Sequence, residues 1–261
     1  MDILTLIYLA YSFIALYFLF LFILIYLPNR KDLFSYPKIT KEYSLSIVVP
    51  CYNGEESIAK TIQALLDSDY KNLKKIIVVD DCSTDNSYEI IKKFAEKYSK
   101  VLAVKTPKNT GKAGGAKNYG AKFVNTDLIG FTDADSYPQE SAIRKMIGFF
   151  DNEKTGAVTS MVLVKKREKL IEKLQAIEYK IIAFTRRLLG FVDAIYVTPG
   201  PLSIYRKSVF EEVGGFDEKN LTEDIEITWH LILKKYKLKC LFLQGFILLP
   251  QISLKHGLIR E

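Results

Sequence analysis

The hydrophobic positions form one very long run at the N-terminus and a series of short runs after it. The long run, ILTLIYLAYSFIALYFLFLFILIYL over residues 3–27, contains no charged residue. At about 1.5 Å per residue, a helix of this length crosses a hydrocarbon core of roughly 30 Å. The pattern predicts one transmembrane helix. A signal peptide is the alternative, but it favours a basic start, and Asp2 precedes this run.

Four short apolar runs follow a polar linker over residues 28–43. Their sequences are LSIVVP (45–50), KIIVVDD (75–81), VLAV (101–104) and LIGFTDADS (128–136), and segments with helical spacing separate them. Strands that alternate with helices predict right-handed crossovers and a mainly parallel sheet with helices on both faces. We therefore predict an α/β domain over residues 44–238 and an atypical tail over residues 239–261.

Acidic residues lie where two of the predicted strands end. Asp80 and Asp81 end the second strand, and Asp133 and Asp135 end the fourth. Ligands of parallel sheets bind beyond the carboxyl ends of the strands. A D-x-D pair in an extended chain places both carboxylates on one side. A Mg or Mn ion would bind between them, and substrate phosphates would supply its remaining ligands. A pair of turn-forming aspartates is the alternative.

A glycine-rich segment supplies positive charge. In NTGKAGGAKNYG, residues 109–120, the glycines allow close backbone approach, Lys112 carries a charge, and the following helix offers N-terminal amides to a phosphate. The segment matches neither the Walker pattern nor G-x-G-x-x-G. A flexible loop is the alternative interpretation.

The segment LTEDIEITWH, residues 221–230, begins an amphipathic helix with three polar residues. Thr222 is a favoured N-cap, and Glu223 and Asp224 suit the positive end of the helix dipole. Local physics alone therefore favours a helix cap here.

Charge and cysteine content limit the possible partners and compartment. The net charge of +7 is spread over lysine-rich stretches that also carry acids, which suits an anionic membrane or substrate and disfavours nucleic acid. The three cysteines lack metal-ligand spacing and fit a reducing compartment. Arg30, Lys31 and Lys38 follow the predicted span, so we expect a cell-membrane protein whose remaining chain lies in the cytoplasm.

Five segments together resemble a known family. They are IVVPCYNGEESI, IIVVDDCSTDNS, NTGKAGGAKNYG, FTDADS and GGFDEKNLTEDIEITWHL. Their order and separations resemble the inverting glycosyltransferases of family 2, especially the membrane-bound branch of cellulose, chitin and hyaluronan synthases. The resemblance implies a GT-A-like, Rossmann-type fold, a nucleotide-sugar donor that is normally a UDP-sugar, a divalent cation, and a polysaccharide or polyprenyl-lipid acceptor.

The resemblance also implies roles for single residues. The implied donor-binding residues are Pro50, Tyr52, Asp81, Lys112 and Asp133. Asp135 would hold the metal, and Asp224 would be the general base that accepts a proton from the acceptor hydroxyl, while Thr222 caps the helix. The candidates on the acceptor side are Gly200, Arg206 and Glu223.

A further helix is predicted over residues 168–189. It carries Arg186 and Arg187, and its apolar residues include Ile181, Ile182, Leu188 and Leu189. A helix with such a face more often packs on its own domain than on lipid, so we expect domain packing here.

The resemblance stops after Leu238. The family's Q-x-x-R-W segment and later transmembrane helices do not follow in the given sequence, so we expect a chain truncated at its C-terminus. Some back-translations of residues 239–261, shifted by two nucleotides, read like the family's continuation. We hypothesise a frameshifted tail, and a gene without a family-like frame past the stop codon would disprove it.

Two alternatives to an active glycosyltransferase stay open. The first is a truncated, non-catalytic paralogue that binds a nucleoside diphosphate. The second is a sugar-phosphate nucleotidyltransferase, which would need a glycine- and arginine-rich loop after the first strand, where this chain has PCYNGEE.

Overall fold

The computed structural model describes residues 2–164, 168–242 and 249–250. The helices are α1 (Ile3–Asn29), α2 (Ile58–Leu66), α3 (Ser87–Lys97), α4 (Ala113–Ala121), α5 (Ala142–Ile147), α6 (Leu170–Leu189), α7 (Lys207–Glu212) and α8 (Glu223–Leu233). The strands are β1 (Leu45–Cys51), β2 (Leu73–Asp80), β3 (Val101–Lys105), β4 (Leu128–Phe131), β5 (Ser136–Tyr137), β6 (Thr155–Ser160), β7 (Ser203–Arg206), β8 (Lys237–Leu241) and β9 (Leu249–Pro250). Short 3₁₀ turns follow α5 and α6.

The central sheet has seven strands in the order β3-β2-β1-β4-β7-β6-β8. All run in one direction except β7, which is antiparallel to both of its neighbours. The predicted mainly parallel α/β sheet is therefore confirmed. Strand β8, which pairs with β6, continues past residue 238, where the predicted domain ended. Most of the predicted tail lies outside the described residues.

The strands bury side chains on both faces of the sheet, as expected when helices cover both. On one face Ile47 and Val49 join a cluster with residues of α2 and α5. On the other face Val48 joins residues of α4, α7 and α8, because successive strand residues point to opposite faces. Helix α4 approaches closely at Gly120, where a Cβ atom would lie 2.4 Å from a methyl carbon of Val48.

A third apolar cluster joins α1, the linker and α6. It contains Ile25 at the end of α1, Leu33 of the linker, and Ala183 and Leu188 of α6. Ile25 is the one buried residue of α1, which is otherwise apolar and exposed. Helix α1 is long and apolar enough to cross a membrane by length and composition. The linker therefore packs on the domain through an apolar contact that its polar composition did not indicate.

Helix α6 has two different apolar faces. One face packs on the domain, as predicted, and buries Leu188 together with Arg186 and Arg187, whose burial the sequence did not indicate. The other is an exposed stripe with helical spacing, which we call the α6 stripe. It consists of Leu170, Leu174, Ile177 and Ile181. The prediction that Ile181 packs on the domain is wrong, because its side chain is 56% exposed.

Candidate functional site

Asp133 and Asp135 lie in a turn directly after β4. The predicted strand over residues 128–136 breaks at Phe131, and the amide of Ser136 donates to the Asp133 carbonyl at 3.1 Å. The Thr61 hydroxyl also donates to the Ala134 carbonyl at 2.7 Å, which fixes the turn against α2. The extended D-x-D geometry is therefore wrong, yet both carboxylates still line one cavity.

Glu223 and Asp224 form the first turn of α8. Thr222 occupies the N-cap position, but its side chain makes no capping hydrogen bond; its hydroxyl lies 3.2 Å from Asn220 Oδ1, to which it donates. The predicted capping role of Thr222 is therefore wrong. The Asp224 carboxylate accepts the amide hydrogen of Ile225 at 2.9 Å, which favours the carboxylate at the positive helix end.

A chain of buried hydroxyls fixes α8 beside the loop that precedes β7. Thr228 Oγ1 donates to the Asp224 carbonyl at 2.7 Å. Thr198 Oγ1 lies 2.9 Å from Thr228 Oγ1 and 2.7 Å from the Tyr205 hydroxyl. Sequence reasoning missed all three residues. The position of Thr228, four residues after Asp224, was the one available signal, because a helical hydroxyl often bonds the carbonyl one turn earlier.

Lys117 is the basic residue at the centre of the site. Its Nζ lies 3.0 Å from Glu223 Oε1, and the two side chains are 4% and 14% exposed. The Lys117 ammonium also lies over the Phe216 ring. Lys112 in the same segment was predicted from the sequence, whereas Lys117, which α4 turns into the domain, was not.

Burial and mutual repulsion raise the pKa values of the acids. Burial raises the pKa of Asp133 to about 6; Lys117 opposes this shift, while Asp135, Glu223 and Asp224 add to it. Burial also raises the pKa of Asp224, and Glu223 adds to the shift. The pKa of Asp135 is raised by burial as well. Asp133 and Asp224 therefore influence each other electrostatically and belong to one site.

Gly200 and Arg206, two of the candidates for the acceptor side, lie at different ends of the sheet. Gly200 packs against the D-x-D turn, since a Cβ atom there would lie 2.6 Å from both carboxylate oxygens of Asp133. Arg206 is a wrong prediction. It pairs with Leu128 at the start of β4, at the opposite end of the sheet. Its guanidinium donates to backbone carbonyls there, including that of Thr155 at 3.1 Å.

The predicted donor residues lie around the ends of β1 and β2. The Asp81 carboxylate accepts from the Thr110 hydroxyl at 2.7 Å and from the Thr106 hydroxyl at 2.8 Å, so it holds the glycine-rich segment beside β2. Tyr52 is 56% exposed directly after Pro50 and Cys51. Lys112 is partly buried just before α4, and its ammonium donates to the Lys219 carbonyl. Their contact with a nucleotide stays a prediction.

The D-x-D turn fits a cation that substrate phosphates complete. Within residues 2–164, 168–242 and 249–250, no three acidic, histidine or cysteine side chains converge as a protein-only metal site. Mg²⁺ needs only one or two carboxylates when phosphates supply further ligands. Asp135 forms no ion pair with a described lysine or arginine, so none of these side chains competes with a cation for its carboxylate.

A match to a model of a protein family identifies the family of this chain. The model described as Glycosyl transferase family 2 matches residues 46–214, from β1 to just after α7. The chain belongs to this family. Membership supports a glycosyltransferase domain and decides against the nucleotidyltransferase alternative.

Curated relatives in this family are polysaccharide synthases. The chain is 34% identical over 197 residues to a poly-beta-1,6-N-acetyl-D-glucosamine synthase of Staphylococcus epidermidis, which covers 75% of this chain and 47% of that protein. It is 31% identical over 227 residues to the enzyme of the same name from Staphylococcus aureus strain COL, with coverages of 86% and 54%. The chain thus spans about half the length of these relatives.

Solved glycosyltransferase structures share the fold. A mannosyltransferase from Pyrobaculum calidifontis, in complex with GDP-Man and Mn²⁺, superposes with a TM-score of 0.71 at 19% identity, covering 90% of this chain and 66% of that one. S. aureus TarS 1-349, in complex with UDP-GlcNAc, gives a TM-score of 0.58 at 21% identity, with coverages of 78% and 57%. The GT-A-like fold predicted from the sequence is therefore confirmed.

Proposed function

We propose that this protein is a membrane-anchored, inverting glycosyltransferase that transfers a sugar from a UDP-sugar to a polysaccharide or lipid-linked acceptor. The observation that carries this proposal is that Lys117, the D-x-D turn and the first turn of α8 lie near enough for their charges to act on Asp133. One side of such a site would bind the donor diphosphate. The other would supply the base.

Asp224 is the proposed general base. Inversion requires a carboxylate within hydrogen-bond reach of the acceptor hydroxyl, on the side opposite the leaving diphosphate. The raised pKa of Asp224 brings its basicity closer to neutral pH than that of an exposed aspartate, while Lys117 keeps its neighbour Glu223 paired.

Asp135 is the proposed metal ligand, and its neighbour Asp133 feels the charges of both Asp135 and the acids of α8. A Mg or Mn ion at Asp135 would supply positive charge to the diphosphate, where negative charge grows in the transition state. The mannosyltransferase with the same fold forms a complex with Mn²⁺, which supports a divalent cation here. Gly200 allows the loop before β7 to approach Asp133 without a side chain between them.

The proposed donor is UDP-N-acetylglucosamine. The curated relatives are named as synthases of an N-acetylglucosamine polymer, and TarS, which shares the fold, forms a complex with UDP-GlcNAc. A β-linked polysaccharide is accordingly the favoured product, with a polyprenyl-linked glycan as the alternative.

Two apolar surfaces support a location at the membrane, and the basic residues Arg30, Lys31 and Lys38 after the span favour its cytoplasmic face. Helix α1 is exposed and apolar over a length that spans a bilayer. The α6 stripe is exposed beside it, and Tyr26 of α1 contacts Phe184 of α6 with ring centroids 6.3 Å apart. Lys173 and Lys180 lie along one side of the stripe, where they would face anionic lipid head groups, and Glu178 lies along the other. We propose that α1 spans the membrane and that the α6 stripe lies on its surface.

Calorimetry with UDP and Mn²⁺, combined with transfer assays on UDP- and GDP-sugars, tests the function. The full chain in lipid nanodiscs should bind UDP in a metal-dependent way and transfer N-acetylglucosamine, and Asp224→Asn should bind but not transfer. UDP binding without transfer by the unaltered chain would favour the non-catalytic paralogue. No UDP binding would disprove both.

A further inference from the structure

The buried side chain of Arg186 lines the cavity at the D-x-D turn and has no role in the proposed function described above. The cavity has a volume of about 290 Å³. Its lining residues include Asp133 and Asp135 of the D-x-D turn, Tyr179, Ile182, Ala183 and Arg186 of α6, and Pro199 and Pro201 of the loop before β7. Arg186 is 7% exposed, so its guanidinium is almost completely removed from solvent.

The Nε–H of Arg186 is a buried hydrogen-bond donor without a partner among the described residues. The Arg186 side chain also contacts the Cys240 thiol. None of the ion pairs in the described chain includes Arg186. Leaving a buried donor unpaired costs free energy, which a ligand with an acceptor oxygen would recover.

The charges around the cavity favour a neutral acceptor group over an anion. Asp133 and Asp135 already place carboxylates on the same cavity as the guanidinium, so no further anion is needed to balance Arg186. In the proposed function a cation at Asp135 would hold the donor diphosphate, so a further anion beside Arg186 would face that diphosphate and the two acids across a small space. The buried Nε–H of Arg186 therefore calls for a neutral oxygen acceptor.

Apart from Tyr179, whose side chain hydrogen-bonds with Gln175, the remaining lining around Arg186 is apolar. Ile182, Ala183 and the two prolines offer methyl and methylene groups but no further unpaired donor. A group with a carbonyl oxygen beside a methyl group satisfies both features. In a nucleotide-sugar enzyme that group is the acetamido substituent of an N-acetylhexosamine.

The strand order places the cavity beyond the predicted nucleotide residues. Pro50 and Asp81 lie at the ends of β1 and β2, on one side of β4. The cavity lies on the other side of β4, where Pro201 precedes β7 and α6 covers it. A sugar attached to the diphosphate, or the end of the acceptor glycan, would occupy this position.

We propose that Arg186 is a specificity-determining residue whose Nε–H donates to the acetamido carbonyl of an N-acetylhexosamine, with Ile182, Ala183 and the prolines around its methyl group. This inference rests on the proposed glycosyltransferase function. The acetamido group belongs either to the donor sugar or to the terminal sugar of the acceptor, and the test separates the two sources.

The experiment compares matched ligands on the full chain in nanodiscs. The donor arm measures binding of UDP-GlcNAc against UDP-glucose. The acceptor arm measures binding of N-acetylglucosamine oligosaccharides against glucose oligosaccharides with UDP and Mn²⁺ present. Arg186→Met should lower the preference for the acetamido ligand by roughly tenfold or more in one arm, because a hydrogen bond from a charged donor is worth that factor. UDP affinity should not change, and Arg144→Met, at an exposed arginine paired with Asp69, is the control.

A second variant covers the case in which Arg186→Met does not fold. Ile182→Phe fills the cavity and should reject the acetamido ligand while the glucose ligand still binds. Ile181→Phe, one residue away on the exposed stripe, should change neither. Thermal unfolding identifies folded variants.

The outcomes separate this inference from the function on which it rests. If the variants lose the preference for UDP-GlcNAc in the donor arm, the cavity binds the transferred sugar. If they lose the preference for N-acetylglucosamine oligosaccharides in the acceptor arm, the cavity binds the acceptor. If the unaltered chain binds UDP but shows no acetamido preference, or if both variants leave the preference intact, Arg186 has no such role and the glycosyltransferase proposal stands. If the unaltered chain does not bind UDP, both are disproved.

Discussion

Lys117 Nζ and Glu223 Oε1 form an ion pair at 3.0 Å that is buried between α4 and α8. This contact joins the glycine-rich segment to the helix that carries Asp224. It also places a positive charge where it partly opposes the rise in the pKa of Asp133 and of Asp224 that burial causes. The pair therefore links the donor side of the proposed site to its base.

Removing the lysine should damage both stability and transfer. Lys117→Met leaves the Glu223 carboxylate buried without its partner, which typically costs about 3 to 5 kcal/mol of unfolding free energy. Chemical denaturation with transfer assays at saturating donor measures both effects. Lys122→Met, at an exposed lysine just after α4, should leave both unchanged. Lys117→Met that is as stable and active as the unaltered chain would show that the pair is dispensable.

Asp224→Asn should abolish transfer but not donor binding. The amide keeps the shape of the side chain but accepts no proton, so we expect a loss of roughly 10²- to 10⁴-fold in turnover with unchanged UDP affinity. Single-turnover transfer and calorimetry measure the two quantities. Asp217→Asn, at an exposed aspartate of the preceding loop, is the matched control. If Asp224→Asn still transfers at the normal rate, another group is the base.

The sheet and the acids at its rim were predictable because short apolar runs mark buried strands and polar residues mark their ends. The predicted run 45–50 became β1, Leu45–Cys51, and the aspartates after the fourth run line the cavity. Arg206 was misplaced because β7 is antiparallel, and a single strand's sequence does not reveal its direction. The end of β7 therefore lies away from the rim.

Buried basic residues were the other features that the sequence did not reveal. Lys117, Arg186 and Arg187 occur at helical positions that an exposed residue could equally fill, and their burial depends on which elements pack against them. Thr222 was misassigned for a similar reason, since Asn220 competes for its hydroxyl.

The raised pKa of Asp133 predicts a pH-dependent stability. An unfolded aspartate titrates near 3.8 and the folded one at about 6, so the folded state holds its proton more tightly. Between these pH values the folded state binds more protons, and stability falls as pH rises toward 6. Without metal, Asp133→Asn should therefore raise the thermal unfolding midpoint at pH 7.5 and have a smaller effect at pH 4.5. An equal effect at both pH values would contradict the raised pKa.

Arg187 should hold the linker to the domain. Its guanidinium donates to the carbonyls of Asp32 at 2.8 Å, Ser35 at 2.9 Å, Leu33 at 3.2 Å and Cys240 at 3.0 Å. Arg187→Lys keeps the charge, but a single ammonium cannot donate to all four carbonyls. We therefore expect the free energy of unfolding to fall by at least about 2 kcal/mol. Limited proteolysis should then cut residues 30–43 faster. A linker that stays protected would show that the apolar contact of Leu33 suffices.

The α6 stripe should lie on the lipid surface in the membrane-bound protein. If the stripe lies on the membrane, a fluorophore attached to cysteine at Leu174 or Ile177 should be quenched by lipids that carry nitroxide groups on their acyl chains. A fluorophore at Lys93, an exposed position of α3, should not be quenched. Both labels are placed in the full chain, so α1 anchors the two samples equally and the difference reports on α6 alone. Leu174→Lys together with Ile177→Lys should reduce quenching of a label at Ile181, because two ammonium groups do not enter the acyl region. Equal, weak quenching at Leu174 and Lys93 would show that the stripe faces water and not lipid.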